Sequence, residues 1–327
     1  MVSIEFAGPV NAKVRCFGLY SLSAVCTVGP QIRLRDFYKM PKIGVAVPTR
    51  NRAPLLRETL ICLRDQTCSD FEVLVLDNAS DDDTAQIYED VVGGDQRFKF
   101  HRHEVMVSVM DNFMFGLNNL NNEYFMWRAD DDLSSGNFIS RLTECLDADP
   151  RAGLAVTSVE RWNSLQNRRS IISLPPFTDP DPVDRAIHLL RHKRPTWIYG
   201  LWRREVLLES IALIGGRYPY AWAFDHLLMM PITLTGRVAI VEDALFIQRI
   251  LGRGSYELAP IERLKARTAY AAICTELMRH IDLPPLRVEE FQAALEFHYE
   301  DRVGSVKWLR RKAFKDKVMF ALGLKKI

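Results

Sequence analysis

The chain has 327 residues, 48% of them hydrophobic and 26% charged, which provides for a large buried core and excludes a disordered or fibrous chain. With 43 Lys and Arg against 41 Asp and Glu the formal charge is +2, so there is no global basic field of the kind that gathers nucleic acid, and none is expected as a partner. The cysteines Cys16, Cys26, Cys62, Cys68, Cys145 and Cys274 are scattered without a CxxC pair, which argues against a zinc site or a disulfide framework and fits a reducing, cytoplasmic setting.

Residues 1–41 read as an N-terminal arm. Cys16 to Val28 is uncharged and follows Lys13 and Arg15, superficially the apolar region of a signal peptide. The other reading takes Met40 as the true start and the upstream arm as non-native or disordered. No apolar stretch reaches the roughly 18 to 20 residues that span a bilayer.

From Ile43 the pattern becomes regular. Ile43 to Val47 is an apolar run ended by Pro48, Thr49 to Arg52 is polar, and Ala53 to Gln66 carries leucines at helical spacing. Phe71 to Leu76 is a second strand and stops at Asp77-Asn78-Ala79-Ser80-Asp81-Asp82-Asp83-Thr84, before a helix over Ala85 to Val92. Phe98 to His101, Asp111 to Leu120 and Tyr124 to Arg128 add strand, helix and strand, the last running into Asp130-Asp131-Asp132. Continuous apolar strands alternating with helices predict a mainly parallel sheet covered on both faces, a Rossmann-like α/β fold. Ligands bind such sheets at the carboxyl ends of the strands, so the three polar clusters should converge on one crevice.

No glycine-rich phosphate cradle follows the first strand. Acid takes its place, and an acidic pocket accepts a phosphorylated ligand only across a divalent cation. Asp130 and Asp132, alternate residues on a turning backbone, can share one side, with Asp131 pointing elsewhere; the plainer reading is a solvated turn or a helix cap before Leu133.

These residues resemble the inverting family 2 glycosyltransferases of the GT-A fold. Val47-Pro48-Thr49-Arg50-Asn51-Arg52 is similar to the family's first-strand signature, Asp77 to Thr84 to its nucleotide-binding turn, and Ala129-Asp130-Asp131-Asp132 to its DXD motif. The likeness covers Lys42 to about Asn137, and more loosely to about Ser255. It implies a GT-A domain over 42–258, with a nucleotide-sugar half (42–137) and an acceptor half (138–258). The implied donor is a nucleotide-diphosphate sugar held by Pro48, Thr49, Arg50, Arg52, Asp77, Asp130 and Asp131. Asp77 would bond the base, Asp130 would lie near the ribose or sugar, and Asp132 with Asp130 would hold Mg²⁺ or Mn²⁺.

An inverting transfer needs a base for the acceptor hydroxyl, and a carboxylate or His serves at neutral pH. By the resemblance that base lies in Tyr220-Ala221-Trp222-Ala223-Phe224-Asp225-His226, where the family's usual Glu-Asp pair is replaced by Phe224-Asp225. Asp225 is the candidate and Glu242-Asp243 a rival acidic pair. Tyr220 and Trp222 offer flat faces to a sugar or belong to the core. Gly200 and Trp202 sit in a segment similar to the family's acceptor-side strand, where Gly200 permits close approach of a ligand or marks a bulge. Arg249 and Arg253 are candidate diphosphate contacts or solvated arginines. Leu251 stands where the family carries a metal-associated His.

The breaker-rich stretch from Leu174 to Pro182 reads as a loop. Residues 259–327 form a helical extension, with long helical patterns opening at Pro260 and Pro284. Between Arg302 and Lys326 nine basic residues face one acid, Asp316. Val306, Leu309, Ala313, Phe320 and Leu324 share one helical side, an arrangement for an anionic membrane surface or for packing on the domain. The implied function is sugar transfer to a glycan or lipid-linked acceptor in building a surface polysaccharide, on the cytoplasmic side and peripheral on the inner membrane face. A scaffold that keeps the fold without turnover and, less readily, a nucleotidyltransferase are the alternatives.

Overall fold

Alternate residues of three strands feed two different cores, which is why these strands read as unbroken apolar runs. In β1 (Ile43–Thr49), Ile43, Val45 and Val47 pack on one face and Ala46 on the other. Phe71, Val73 and Val75 of β2 (Phe71–Asp77) join the first group, and Leu74 and Leu76 the second. In β4 (Tyr124–Trp127), Tyr124 and Met126 divide from Phe125 and Trp127 in the same way. A sheet covered on both faces needs apolar side chains at every position.

The computed structural model describes residues 40–172, 180–192, 195–251, 258–279, 283–303 and 305–321. The arm before Met40, Arg253, most of the Leu174 to Pro182 stretch and the end of the basic tail, Phe320 excepted only as helix backbone, lie outside the described side chains. The helices α1 (Ala53–Arg64), α2 (Thr84–Val92) and α4 (Phe138–Ala148) cover the face bearing Val45. The opposite face is covered by α3 (Val109–Asn119), α5 (Pro182–His192), α6 (Arg204–Ile214), α7 (Phe224–Thr235), α8 (Pro260–Arg279) and α9 (Pro285–Val303).

The remaining strands are β3 (Phe98–Arg102), β5 (Leu133–Ser134), β6 (Leu154–Asn163), β7 (Arg168–Ile172), β8 (Leu201–Arg203) and β9 (Val238–Ile250). The sheet order is β3-β2-β1-β4-β8-β6-β9-β5, with β7 paired to β6. Pairing is parallel through β3, β2, β1 and β4. Beyond β4 it is mixed: β8 is antiparallel to β4 and β6, while β6 and β9 run parallel. The α/β fold expected from the sequence is present, with a helical C-terminus.

Strand β1 continues through Pro48 to Thr49. Arg128 N–H donates to Ala46 O at 2.8 Å, so the even-numbered residues of β1 face β4. Because β4 ends at Trp127, the missing N–H of Pro48 removes no ladder bond. The helical pattern expected from Pro284 onward is two helices, α9 and α10 (Val306–Ala321). Glu242 and Asp243 lie within β9 at an irregularity opposite Thr157 and Ser158, not at a strand-end turn.

Gly200 closes a 3₁₀ turn (Pro195–Tyr199) before β8. A Cβ there would lie 2.5 Å from the Ala155 carbonyl oxygen and 2.9 Å from Leu154 Cδ1 and Val156 Cγ1. The glycine thus serves the approach of this turn to β6. Gly200→Ala should lower unfolding stability by about 1–3 kcal/mol, the usual cost of overpacking, as read from chemical denaturation; an unchanged midpoint would show that β6 yields freely.

Candidate active site

The register of β1 against β2 sets Thr49 opposite Asp77, and that of β1 against β4 sets Ala46 opposite Trp127. The loops after these strands therefore leave the sheet at one edge. The loops after β1 and β2 are stitched together: Asn51 N–H donates to Ser80 Oγ at 2.9 Å, Asp81 N–H to Asn51 Oδ1 at 2.9 Å, and Ala53 N–H to Asp82 Oδ2 at 2.9 Å. Asp77 is fully buried; its Oδ1 accepts from Ser80 N–H at 3.0 Å, and Arg102 Nη1 stands 3.5 Å from its Oδ2. Asn78 clamps Val107 by accepting from its N–H at 2.8 Å and donating to its carbonyl at 2.9 Å.

The acidic turn after β4 is held from four sides. Thr49 Oγ1 donates to Asp130 Oδ2 at 2.8 Å, and Thr59 Oγ1 of α1 faces the Asp130 and Asp132 carbonyls at 2.9 and 3.2 Å. Arg52 Nη1 bridges Asp130 Oδ1 at 3.3 Å and Asp131 Oδ2 at 2.6 Å. From β9, the Arg249 backbone N–H donates to Asp132 Oδ1 at 2.9 Å. Behind the turn, Arg128 donates to Leu133 O and Ser134 Oγ.

Asp130 and Asp132 are only 7% and 4% exposed. Burial pushes the Asp130 carboxyl up to about 6, against the pull of Arg52 and Thr49, with Asp131 adding to the rise. Burial and then the Asp131 charge push Asp132 up to about 7, opposed by the Arg249 N–H and by Arg128. Partial burial pulls the Arg52 guanidinium down, but Asp130 and Asp131 outweigh it and hold it above its usual value.

The carboxylate oxygens are hard donors of the kind Mg²⁺ or Mn²⁺ takes, and the Arg52 bridge marks where positive charge is already stabilised. They fit a cation as donors, although among the described residues no group of three or more His, Cys, Asp or Glu converges as a cage.

Beside the turn lies a cleft of about 310 Å³ lined by Val109, Phe113, Thr196, Tyr199, Asp225 and Gln248, among others. Asp225 occupies the first turn of α7, and Ala223 before it adopts a left-handed φ of 55°. Gln248 precedes Arg249, whose N–H holds Asp132, so β9 joins the cleft to the acidic turn. Tyr199 stacks on Phe246 at 5.6 Å. Burial, followed by the charges of Asp132, Asp131, Asp225 and Asp130, raises its phenol.

The other sequence candidates divide. Pro48 is in β1, and Arg50 is exposed on the loop that follows. The Arg249 guanidinium is committed to Asp131 O, to Glu58 at 2.7 Å and to Leu55 O at 3.2 Å, so it braces the turn and offers no free fork to a diphosphate. Trp202 is fully buried and donates to Ile198 O at 3.3 Å; it presents no surface to an acceptor. Tyr220 and Trp222 are half-buried on the core near Tyr218 and Tyr270 and do not line the cleft. Asp243 is paired with Arg141 at 2.7 Å outside the cleft. Arg253 lies outside the described residues. Tyr199, Thr196, Gln248 and Arg128 are not among the sequence candidates, although Tyr199 and Gln248 adjoin Gly200 and Arg249, which are.

Acidic and polar loops gathered at the carboxyl edge of an open α/β sheet are where such folds bind their ligands. Residues 44–194 match the family model described as glycosyl transferase family 2, and the fold is that of its GT-A members. A curated relative, the GalNAc(5)-diNAcBac-PP-undecaprenol beta-1,3-glucosyltransferase of Campylobacter jejuni, is 30% identical over 106 residues, 32% of this chain and 34% of the relative. The chain thus spans about a third of that relative's length. Among solved structures, S. aureus TarS 1-349 in complex with UDP-GlcNAc superposes with a TM-score of 0.60 at 17% identity, over 87% of this chain and 76% of that one. The mannosyltransferase PcManGT from Pyrobaculum calidifontis, in complex with GDP-Man and Mn²⁺, gives 0.50 at 17% identity over 88% and 77%. At these identities the likeness is one of fold.

The two raised carboxyls set a pH dependence. Groups whose folded value lies above the unfolded value of about 4 stabilise the fold at low pH and lose that contribution as pH rises through about 6 and 7. In EDTA, the melting temperature should therefore fall between pH 5 and 8, and Asp132→Asn should flatten the fall and melt higher than wild type at pH 8. A variant with the wild-type slope would remove Asp132 as its source.

Proposed function

We propose that this chain transfers a sugar from a nucleotide-diphosphate donor to an acceptor hydroxyl with inversion at the anomeric carbon. The observation that carries the reading is the placement of Asp225 in a cleft whose wall, through Gln248 and Arg249, continues into the acidic turn. Asp77 and the stitched loops after β1 and β2 would receive the nucleoside, with Pro48 and Thr49 beneath it, and Asp130 and Asp131 would face the ribose and sugar. Arg50 and Arg52 stand at the exposed rim, where the diphosphate would meet them.

Asp132 and Asp130 would hold Mg²⁺ or Mn²⁺, which when bound supplies positive charge to the leaving diphosphate. Asp225 takes the proton from the acceptor hydroxyl as that oxygen bonds to the anomeric carbon. The bond from that carbon to the diphosphate breaks with its electron pair on the departing nucleoside diphosphate. Phe113, Ile198 and Phe224 give the cleft the apolar part of its lining. The acceptor is a glycan or lipid-linked sugar of a surface polysaccharide; the undecaprenol-linked substrate in the name of the Campylobacter jejuni relative supports this.

No described helix is long and apolar enough to cross a membrane. The expected apolar side of the basic tail helix is partly spent on the domain, since Leu309 is fully buried and α10 packs on α8. Outside that side stand Trp308, 46% exposed, and Phe314, 70% exposed, among Arg310, Arg311, Lys312 and Lys315. Aromatic and basic side chains together suit the headgroup region of an anionic leaflet, and this supports peripheral attachment at the inner membrane face.

Asp225→Asn preserves shape but cannot accept the proton, so transfer should fall by about 10²- to 10⁴-fold while donor affinity stays within a few-fold. Asp243→Asn is the control and should stay active. The reverse outcome would move the base to the later acidic pair. The double variant Trp308→Ala/Phe314→Ala should sediment less with anionic liposomes than wild type; equal sedimentation would end the membrane assignment.

A further inference from the structure

Arg128 is 0% exposed, at the end of β4 and two residues before Asp130. Its Nη1 donates to Leu133 O at 3.1 Å and its Nη2 to Ser134 Oγ at 3.0 Å. The guanidinium lies 4.9 Å from the Phe138 centroid and 5.2 Å from that of Phe246, two rings that also meet each other at 6.1 Å. Phe246 in turn stacks on Tyr199 at 5.6 Å with 9° between ring planes. A contiguous cluster of Phe138, Phe246 and Tyr199, with Arg128 against the first two, therefore runs from α4, behind the acidic turn, to the wall of the cleft.

Desolvating a cation is costly, and an apolar side chain of similar length would fill the slot without that cost. Space filling alone therefore gives no reason for a guanidinium here. What it adds is two directed hydrogen bonds to consecutive residues and a cation within reach of two aromatic rings. Both bonds land on the residues directly after Asp132, the same two that pair with Phe246 and Ile247 in β9.

We infer that Arg128 is a positioning residue: it pins Leu133 and Ser134 from inside, so that Asp132 is presented to the cation and diphosphate while Tyr199 is held in register on the cleft wall. Loss of the guanidinium frees the turn without opening the rest of the sheet. The ligand part of this inference rests on the donor reading proposed above; the pinning of the turn does not.

Two measurements on the full chain separate them: amide hydrogen exchange across residues 129–136 and calorimetric binding of UDP and of GDP with Mn²⁺. Arg128→Met should speed exchange in that segment by roughly tenfold with the remaining strands unchanged, and weaken Mn²⁺-supported nucleotide binding by about 10- to 100-fold, as loss of a ligand's supporting partner does. Ser134→Ala, which deletes one bond and no charge, should move both readouts the same way by less, and it carries the test if Arg128→Met fails to fold. Arg128→Lys, keeping charge without the fork or plane, should recover only part. Wild-type exchange and affinity in both Arg128→Met and Ser134→Ala would overturn the inference, as would exchange that rises evenly over the whole sheet. If wild type binds neither nucleotide, the donor reading fails, and exchange still decides the pinning.

Discussion

Three consecutive carboxylates at the end of a buried strand repel one another and lose most of their hydration, and much of the surrounding structure is arranged to make that tolerable. Asp130 and Asp132 are almost entirely buried. Positive charge and hydrogen-bond donors reach the turn from separate parts of the chain: Thr49 from β1, Arg52 from the loop after it, Thr59 from α1, Arg128 from just after β4 and Arg249 from β9. Three arginines thus surround three aspartates. Their roles differ by exposure. Arg128 and Arg249 are buried and committed to fixed partners, whereas the Arg52 side chain is 45% exposed. An exposed pair is weakly held, so Arg52 is the member able to exchange partners when another charge arrives.

The first half of this arrangement was legible in the residues. The seven elements from Ile43 to Trp127 were read to within a residue or two because apolar runs and leucine spacing are local signals. Convergence of the loops followed from the parallel sheet, and register confirms it by setting Thr49 opposite Asp77. The second half was less legible. Arg249 looks like a loop arginine until β9 is paired to β6 and β5, which turns its guanidinium beneath the acidic turn. Gly200 and Trp202 resembled an acceptor strand, yet antiparallel insertion of β8 between β4 and β6 buries both. Tyr199 enters the site only through a short 3₁₀ turn, which has no periodicity to read.

Backbone strain is concentrated in the same loops. Among the described residues, the non-glycine positions with left-handed φ are Asn51, Ala79, Asn167 and Ala223. Asn167 lies between the paired strands β6 and β7, where asparagine commonly takes that conformation. Asn51 also has the residue type for it, and its side chain accepts from Asp81 N–H. Ala79 and Ala223 have no such compensation, and each carries a cost of about 1–2 kcal/mol relative to ordinary backbone.

Those two alanines lie two positions from Asp77 and Asp225, to which the proposed function gives the nucleoside and the proton. Ala79 follows Asp77 by two positions, and its N–H donates to Asp77 O at 3.0 Å, tightening the turn that returns Ser80 N–H to the Asp77 carboxylate. Ala223 ends the segment before α7 and precedes Asp225 by two positions. Beyond it, α7 is a helix buried from His226 to Leu234, whose orientation is fixed by packing on α5 and α6. A helix so constrained cannot turn to aim its first residues, so the preceding backbone must absorb the mismatch. The left-handed residue does this, leaving Asp225 in the cleft and its neighbour His226 in the core. The strain at Ala223 is therefore offset by the apolar burial of α7, and the position of the proposed base is set by the core behind it more than by the loop that carries it.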